Sequence, residues 1–142
     1  MTEENKRRNI ADELKRADES LRAADALFAL GLHADSVSRS YYAVLHFIRA
    51  LLLSLGLEAK SQSGAVHLFH AELVRPGMFP AAHNRALAAL QRSREFADYD
   101  AAVVFMAPDA EASLADARAF ATDALAVLQA GGHVAVPVAL DK

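Results

Sequence analysis

Apolar residues recur along most of the chain at alternating spacings of three and four, the repeat of a helix that buries one face. Ile10, Leu14, Ala17, Leu21, Ala24 and Phe28 keep that repeat and predict a first helix over residues 4–30. Glu13, Lys15, Arg16, Asp18, Glu19 and Arg22 stand between them and read as a solvated face. Gly31 supplies a stop. The link over residues 31–34 is short, so the second helix is expected to run back antiparallel, with Asp35 or Ser36 as its N-cap.

That second helix carries the most apolar long run of the chain and ends near Leu55. At about 100° per residue, Tyr41, Val44, Leu45, Ile48, Leu51, Leu52 and Leu55 share one broad face. Arg39, Tyr42, His46 and Arg49 gather on the opposite side, with the small Ala43 and Ala50 among them. Polar helix faces are ordinarily solvated surface. This one holds only cationic or titratable donors, without the Glu or Lys pairing usual on a surface. Its alanines predict room for a second helix or a second copy.

A polar stretch over residues 57–64 leads to a third helix, with Val66, Phe69, His70, Leu73 and Val74 on its apolar side and Pro76-Gly77 at its end. A fourth is expected over residues 80–99, Leu87 and Leu90 inward and Arg85, Arg92 and Arg94 outward or lateral. Val103, Val104, Phe105 and Met106 lie in a connector expected to pack on the bundle. Pro108, Asp109 and Glu111 suit the first turn of a fifth helix. Leu114, Ala117, Ala121, Leu125 and Leu128 form its core stripe, and Gly131-Gly132 stops it. The pattern as a whole predicts an all-α, up-and-down bundle of about five helices in residues 1–130. A short tail over residues 131–142, an edge extension or unstructured, follows it.

Composition narrows the function classes. A length of 142 residues fits one domain, and 54% hydrophobic with 23% charged residues describes a globular chain. The absence of cysteine removes disulfides and thiolate metal sites. A net charge of −3 argues against general coating of nucleic acid but leaves room for one cationic cleft. No apolar segment reaches the ~18 residues of a membrane span, and the N-terminus lacks a signal-type run. A cytoplasmic protein is expected.

His67 and His70 stand one turn apart, but nothing in the sequence offers a third ligand, so neither a metal nor a cofactor is predicted. There is no phosphate loop, dinucleotide fingerprint or nucleophile elbow. Two pairs carry usable chemistry. His46 can exchange a proton near neutral pH, and Arg39, two turns away, can hold a phosphate through paired donors. Arg94 and Asp98 are spaced for a one-turn ion pair at a helix end.

In order and spacing, three blocks resemble the HEPN family, in its small stand-alone prokaryotic branch. They are Ser38-Arg39-Ser40-Tyr41-Tyr42-Ala43-Val44-Leu45-His46, Lys60-Ser61-Gln62-Ser63-Gly64 and Arg94-Glu95-Phe96-Ala97-Asp98-Tyr99. The resemblance spans residues 8–128. It implies a helical bundle that commonly forms homodimers and, in many members, a metal-independent ribonuclease toxin paired with a small nucleotidyltransferase antitoxin. It implies a site in which an arginine and a histidine a few residues later combine across a dimer cleft. On this chain Arg39 and His46 would be catalytic, with Tyr42 and Arg49 positioning substrate phosphates. Arg94, Asp98 and Tyr99 are its family-motif residues. Other members are non-catalytic modules, so the alternative expectation is a module binding a nucleotidyltransferase or a nucleotide.

Overall fold

The computed structural model describes residues 1–134, and the expected tail lies outside the described residues from position 135 onward. The described residues form five α-helices: α1 (Glu3–Ala29), α2 (His33–Ser54), α3 (Gln62–Phe69), α4 (Asn84–Tyr99) and α5 (Ala107–Ala130). No strand occurs among the described residues, and none of these helices is long and apolar enough to cross a membrane.

The α1–α2 hairpin sets the register of everything that follows. α1 opens where the Thr2 hydroxyl accepts the Asn5 amide at 3.0 Å. It closes as Leu32 N–H reaches the Leu27 carbonyl at 2.9 Å over Gly31, whose φ of 78° suits a residue without a Cβ. α2 then begins at His33, ahead of the expected cap, and Leu32 makes no side-chain cap bond. Asp35 and Ser36 therefore lie inside the helix. The Ser36 hydroxyl has another use: it donates to the Ala24 carbonyl of α1 at 2.8 Å, a buried tie between the two helices.

Pairs that meet across this hairpin have residue numbers that sum to about the same value, as in any antiparallel pairing about one turn. Ser36 meets Ala24, and His46 meets Glu13. The same register sets Ala43 level with Ala17, and both are fully buried, as is Ala50. The small residues of α2 thus serve the close approach of α1. Of the two neighbours expected beside Ala43 and Ala50, a second helix or a second copy, a helix of the same chain takes up their space.

α2 is the axis of the bundle, packed by α1, α3, α4 and α5. Val37, Tyr41, Val44, Leu45, Phe47, Ile48, Leu51, Leu52 and Leu53 are all buried, leaving only a narrow strip of the helix open. Ser61 caps α3 by accepting the Gly64 amide at 2.9 Å. The chain then widens into a π turn over His70–Val74, and Arg75 N–H bonds to the His70 carbonyl at 2.9 Å. This turn occupies the second half of the expected third helix. Met78 and Phe79 both donate to the Leu73 carbonyl, which folds Phe79 back into the core.

Phe79 joins Phe69 and Phe120 there, with ring centroids between 4.9 and 5.6 Å. His83, on the short 3₁₀ turn that precedes α4, lies against Phe79 and Phe120 and meets Asp123 of α5 at 2.6 Å. In the α4–α5 connector, Val103 and Phe105 are half-buried while Val104 and Met106 are 75% and 60% exposed. The two-residue alternation of extended chain turns half of this apolar run outward, so the expectation that all four pack on the bundle is corrected.

Burial holds the His70 imidazole below its ordinary value of 6.5, and the neighbouring His67 pushes the same way. The folded chain therefore resists a proton that the unfolded chain accepts. This contribution is fully present above about pH 6.5 and is lost as pH falls through the lowered folded value. Urea midpoints measured at neutral and mildly acidic pH are expected to converge in His70→Gln relative to the parent. An unchanged difference would remove His70 from the acid response.

Candidate functional site

The open strip of α2 carries every residue that the sequence singles out on that helix, and the structure divides them into two groups. At its N-terminal end, Arg39 is exposed and its guanidinium carbon lies 5.0 Å from the centre of the half-buried Tyr42 ring. This is where the third family block arrives from α4. The Ser38 hydroxyl donates to Asp98 Oδ1 at 2.7 Å and the Tyr42 hydroxyl to Oδ2 at 3.4 Å. Arg94 Nη1 stands 3.9 Å from the same carboxylate, at the outer limit of an ion pair.

Asp98 is thus held first by α2 and only second by its neighbour one turn back. Sequence spacing alone pointed to the weaker of these contacts. The Arg94 guanidinium carbon lies over Tyr41, 4.9 Å from its ring centre, and 6.0 Å from that of Tyr99, with its Nε buried and without a hydrogen-bond partner. Burial pushes the Tyr41 phenol above its ordinary 10.0, and Arg94 pulls it partly back. Tyr99 itself is 78% exposed.

Asp98→Ala removes the acceptor of two hydroxyls and strands the Ser38 hydroxyl in a buried position. Hydrogen bonds to charged groups contribute about 1.5–3 kcal/mol each before solvent screening. With the Asp98 carboxylate partly open to solvent, a loss near 2 kcal/mol, about that of one such bond, is expected in urea unfolding. Asp98→Asn, which keeps an acceptor, is expected to lose less. Equal losses would assign the effect to charge and not to the hydroxyl contacts.

Further along α2, His46 Nδ1 meets Glu13 Oε1 of α1 at 2.7 Å, and both side chains are 26% exposed. Glu13 corrects the reading of that α1 face as simply solvated. It also supplies the carboxylate partner that the α2 sequence lacks. A carboxylate accepting the Nδ1 proton fixes the imidazole tautomer and leaves Nε2 as the basic nitrogen. Arg39 and His46 are separated by about 10.5 Å of helix rise.

Arg49 is placed differently from the other three. Its Nη1 donates to the Ala59 carbonyl at 2.9 Å, so it ties α2 to the loop after it. It borders a groove of about 290 Å³ whose wall includes Asp12, Glu13 and Glu58 over Leu52, Leu53 and Leu57. Three carboxylates around one guanidinium make this end of the strip anionic. Lys60, Ser61 and Gln62, from the middle family block, build the approach to α3 and its cap, directly after the Ala59 carbonyl that Arg49 holds. Among the described residues no three His, Cys, Asp or Glu side chains cluster as a metal site would require. His67 is exposed and His70 half-buried.

Several known proteins are similar to this chain. A UPF0332 protein of Gloeobacter violaceus is 43% identical over 91 residues, which are 64% of this chain and 72% of that protein. A protein of Methanocaldococcus jannaschii named as a candidate toxin is 36% identical over 83 residues, 58% of this chain and 62% of its own length. A second candidate toxin of the same organism is 27% identical over 105 residues, 74% and 71% of the two chains. The model of the HEPN domain matches residues 10–126, a span that takes in the α1–α2 hairpin, the Asp98 clamp and nearly all of α5. The first and third sequence blocks meet at Asp98, and the family model matches most of the length: the chain belongs to the HEPN domain family.

Proposed function

We propose that the chain is a toxin-like ribonuclease that cleaves RNA without a metal, at a site combining Arg39 of one copy with His46 of a second. The observation that carries this reading is the Glu13–His46 contact at 2.7 Å. It orients an imidazole on a partly open strip and leaves Nε2 available as a base. His46 takes the proton of the RNA 2′-hydroxyl as O2′ attacks phosphorus. The P–O5′ bond breaks, the proton passes to the departing 5′-oxygen, and a 2′,3′-cyclic phosphate remains. Arg39 binds the non-bridging oxygens through its planar fork as their charge builds. Tyr42, beneath Arg39, holds that guanidinium in place while its hydroxyl is engaged by Asp98.

Two copies of α2 packed antiparallel about a point near Tyr42 would bring each Arg39 level with the other copy's His46. Because Ala43 and Ala50 are covered by α1, such a dimer meets over Arg39, Tyr42 and His46 themselves. Arg49, on the anionic side, is a poorer holder of phosphate than Arg39. A small nucleotidyltransferase is the fitting silencing partner, covering the same strip. The names of the two Methanocaldococcus relatives support the toxin-like reading.

The second reading, a non-catalytic module binding a nucleotidyltransferase or a nucleotide, is favoured by one observation. Asp12, Glu13 and Glu58 border the strip and repel a phosphodiester. Subunit mixing separates the two. Arg39→Ala and His46→Ala are each expected to be inactive. Their co-refolded mixture should regain about a quarter of the parent activity, since half the dimers are mixed and each then holds one intact site. An inactive parent supports the module. An active parent with an inactive mixture places both residues within one chain.

A further inference from the structure

The outer face of α4 carries a stripe that the site on α2 does not use. Arg85, Arg92 and Tyr99 follow one another at intervals of seven residues. Two turns bring each within about 20° of the last along the helix. All three are exposed, and the exposed Phe96 stands one turn from both Arg92 and Tyr99. The acids of α4 are Glu95, beside the stripe, and Asp98, which Ser38 and Tyr42 already hold. The stripe is cationic on a chain whose net charge is −3, so it is a local concentration and not a property of the whole surface.

At its C-terminal end the stripe meets α2. Tyr42 bonds to Asp98, Arg39 lies over Tyr42, and Arg94 lies between Tyr41 and Tyr99. Two arginine–tyrosine pairs therefore stand next to one another, one on each helix, and Tyr99, at the end of the stripe, is the ring 6.0 Å from the Arg94 guanidinium.

We propose that this face of α4 is a track for single-stranded RNA, with Arg85 and Arg92 pairing phosphates and Tyr99 and Phe96 stacking bases. The inference rests on the ribonuclease reading and extends it to how the strand is presented. Cations along one line complement a polyanion. Exposed rings complement bases whose faces are free. A duplex hides those faces, so the aromatic half of the stripe selects single strands. The clamp of Ser38 and Tyr42 on Asp98 removes the carboxylate that would otherwise compete at the end nearest Arg39.

The test uses the full chain carrying His46→Ala, so that bound RNA is not cut, with fluorescein-labelled oligouridine, oligoadenosine and an RNA duplex in anisotropy titrations over a range of salt. Arg85→Gln/Arg92→Gln is expected to weaken single-strand binding and to flatten its log–log salt slope by about 0.7 for each cation removed. Tyr99→Ala is expected to weaken oligouridine and oligoadenosine binding about tenfold, with the salt slope and duplex binding unchanged. No binding by the parent, or equal binding by parent and variants, overturns the track. A shift of sedimentation without a loss of RNA binding would instead make the face a protein contact. Stripe-dependent binding, with no RNA cut once His46 is restored, keeps the track and removes the ribonuclease. Cleavage with stripe-independent binding does the reverse.

Discussion

His46→Ala is expected to slow RNA cleavage about a hundredfold to ten-thousandfold while leaving the fold in place. The imidazole is 26% exposed and stands on the open strip of α2, opposite the face that carries Ile48, Leu51 and Leu52. Its removal frees Glu13 on a rim that solvent already reaches, and such partly exposed pairs contribute little to stability. Melting is therefore expected to shift by only a few degrees, about what a loss below 1 kcal/mol gives. Glu13→Gln should also slow cleavage, because the imidazole loses the carboxylate that fixes its tautomer and orientation. Arg39→Lys keeps the charge but not the planar fork, and is expected to be severely impaired. Single-turnover rates on one labelled RNA check all three. Parent and variants cutting equally would identify a contaminating nuclease.

Phe120→Ala is expected to cost the most stability of any change considered, about 3–5 kcal/mol. Phe120 is 2% exposed and lies against Phe69, Phe79 and His83 at 5.6, 4.9 and 5.4 Å. It is where α3, the turn before α4 and α5 are joined. Truncation removes the transfer free energy of the ring and leaves a cavity that three surrounding elements cannot all collapse into. His83 also loses a wall of its pocket, which weakens its hold on Asp123. Phe120→Leu, which fills part of the space, should lose less than half as much. Urea unfolding measures both. A loss below about 1 kcal/mol for alanine, the range of a surface change, would mean that the ring cluster does not join these elements.

The helical pattern was readable because five amphipathic stretches agree with one another. The repeat through Ile10, Ala17 and Ala24 in α1 and that through Leu114, Ala117 and Leu128 in α5 all end in the core. What periodicity could not show was pairing between helices. Glu13 looked like one more solvated acid because the register that places it against His46 depends on where the turn falls. Counting back from Gly31 would have found it. Asp98 was visible only as a partner of Arg94, although Ser38 lies closer in space from 60 positions away.

Ala43 and Ala50 show what a pattern leaves open: small residues beside a polar strip signal a close neighbour, a helix or a second copy, and here α1 of the same chain packs there. The start of α2 at His33 and the π turn at His70–Val74 follow from tertiary ties through Ser36 and Phe79 that local propensity does not encode.

Cleavage in a chelator, comparing one RNA with the same strand carrying a single 2′-deoxy residue, tests the central claim most directly. If His46 acts on the 2′-hydroxyl without a metal, excess chelator leaves the rate unchanged and the products end in a 2′,3′-cyclic phosphate and a 5′-hydroxyl. The deoxy position should then resist cutting while binding as before. Loss of activity in chelator, or cleavage at the deoxy position, would contradict the account.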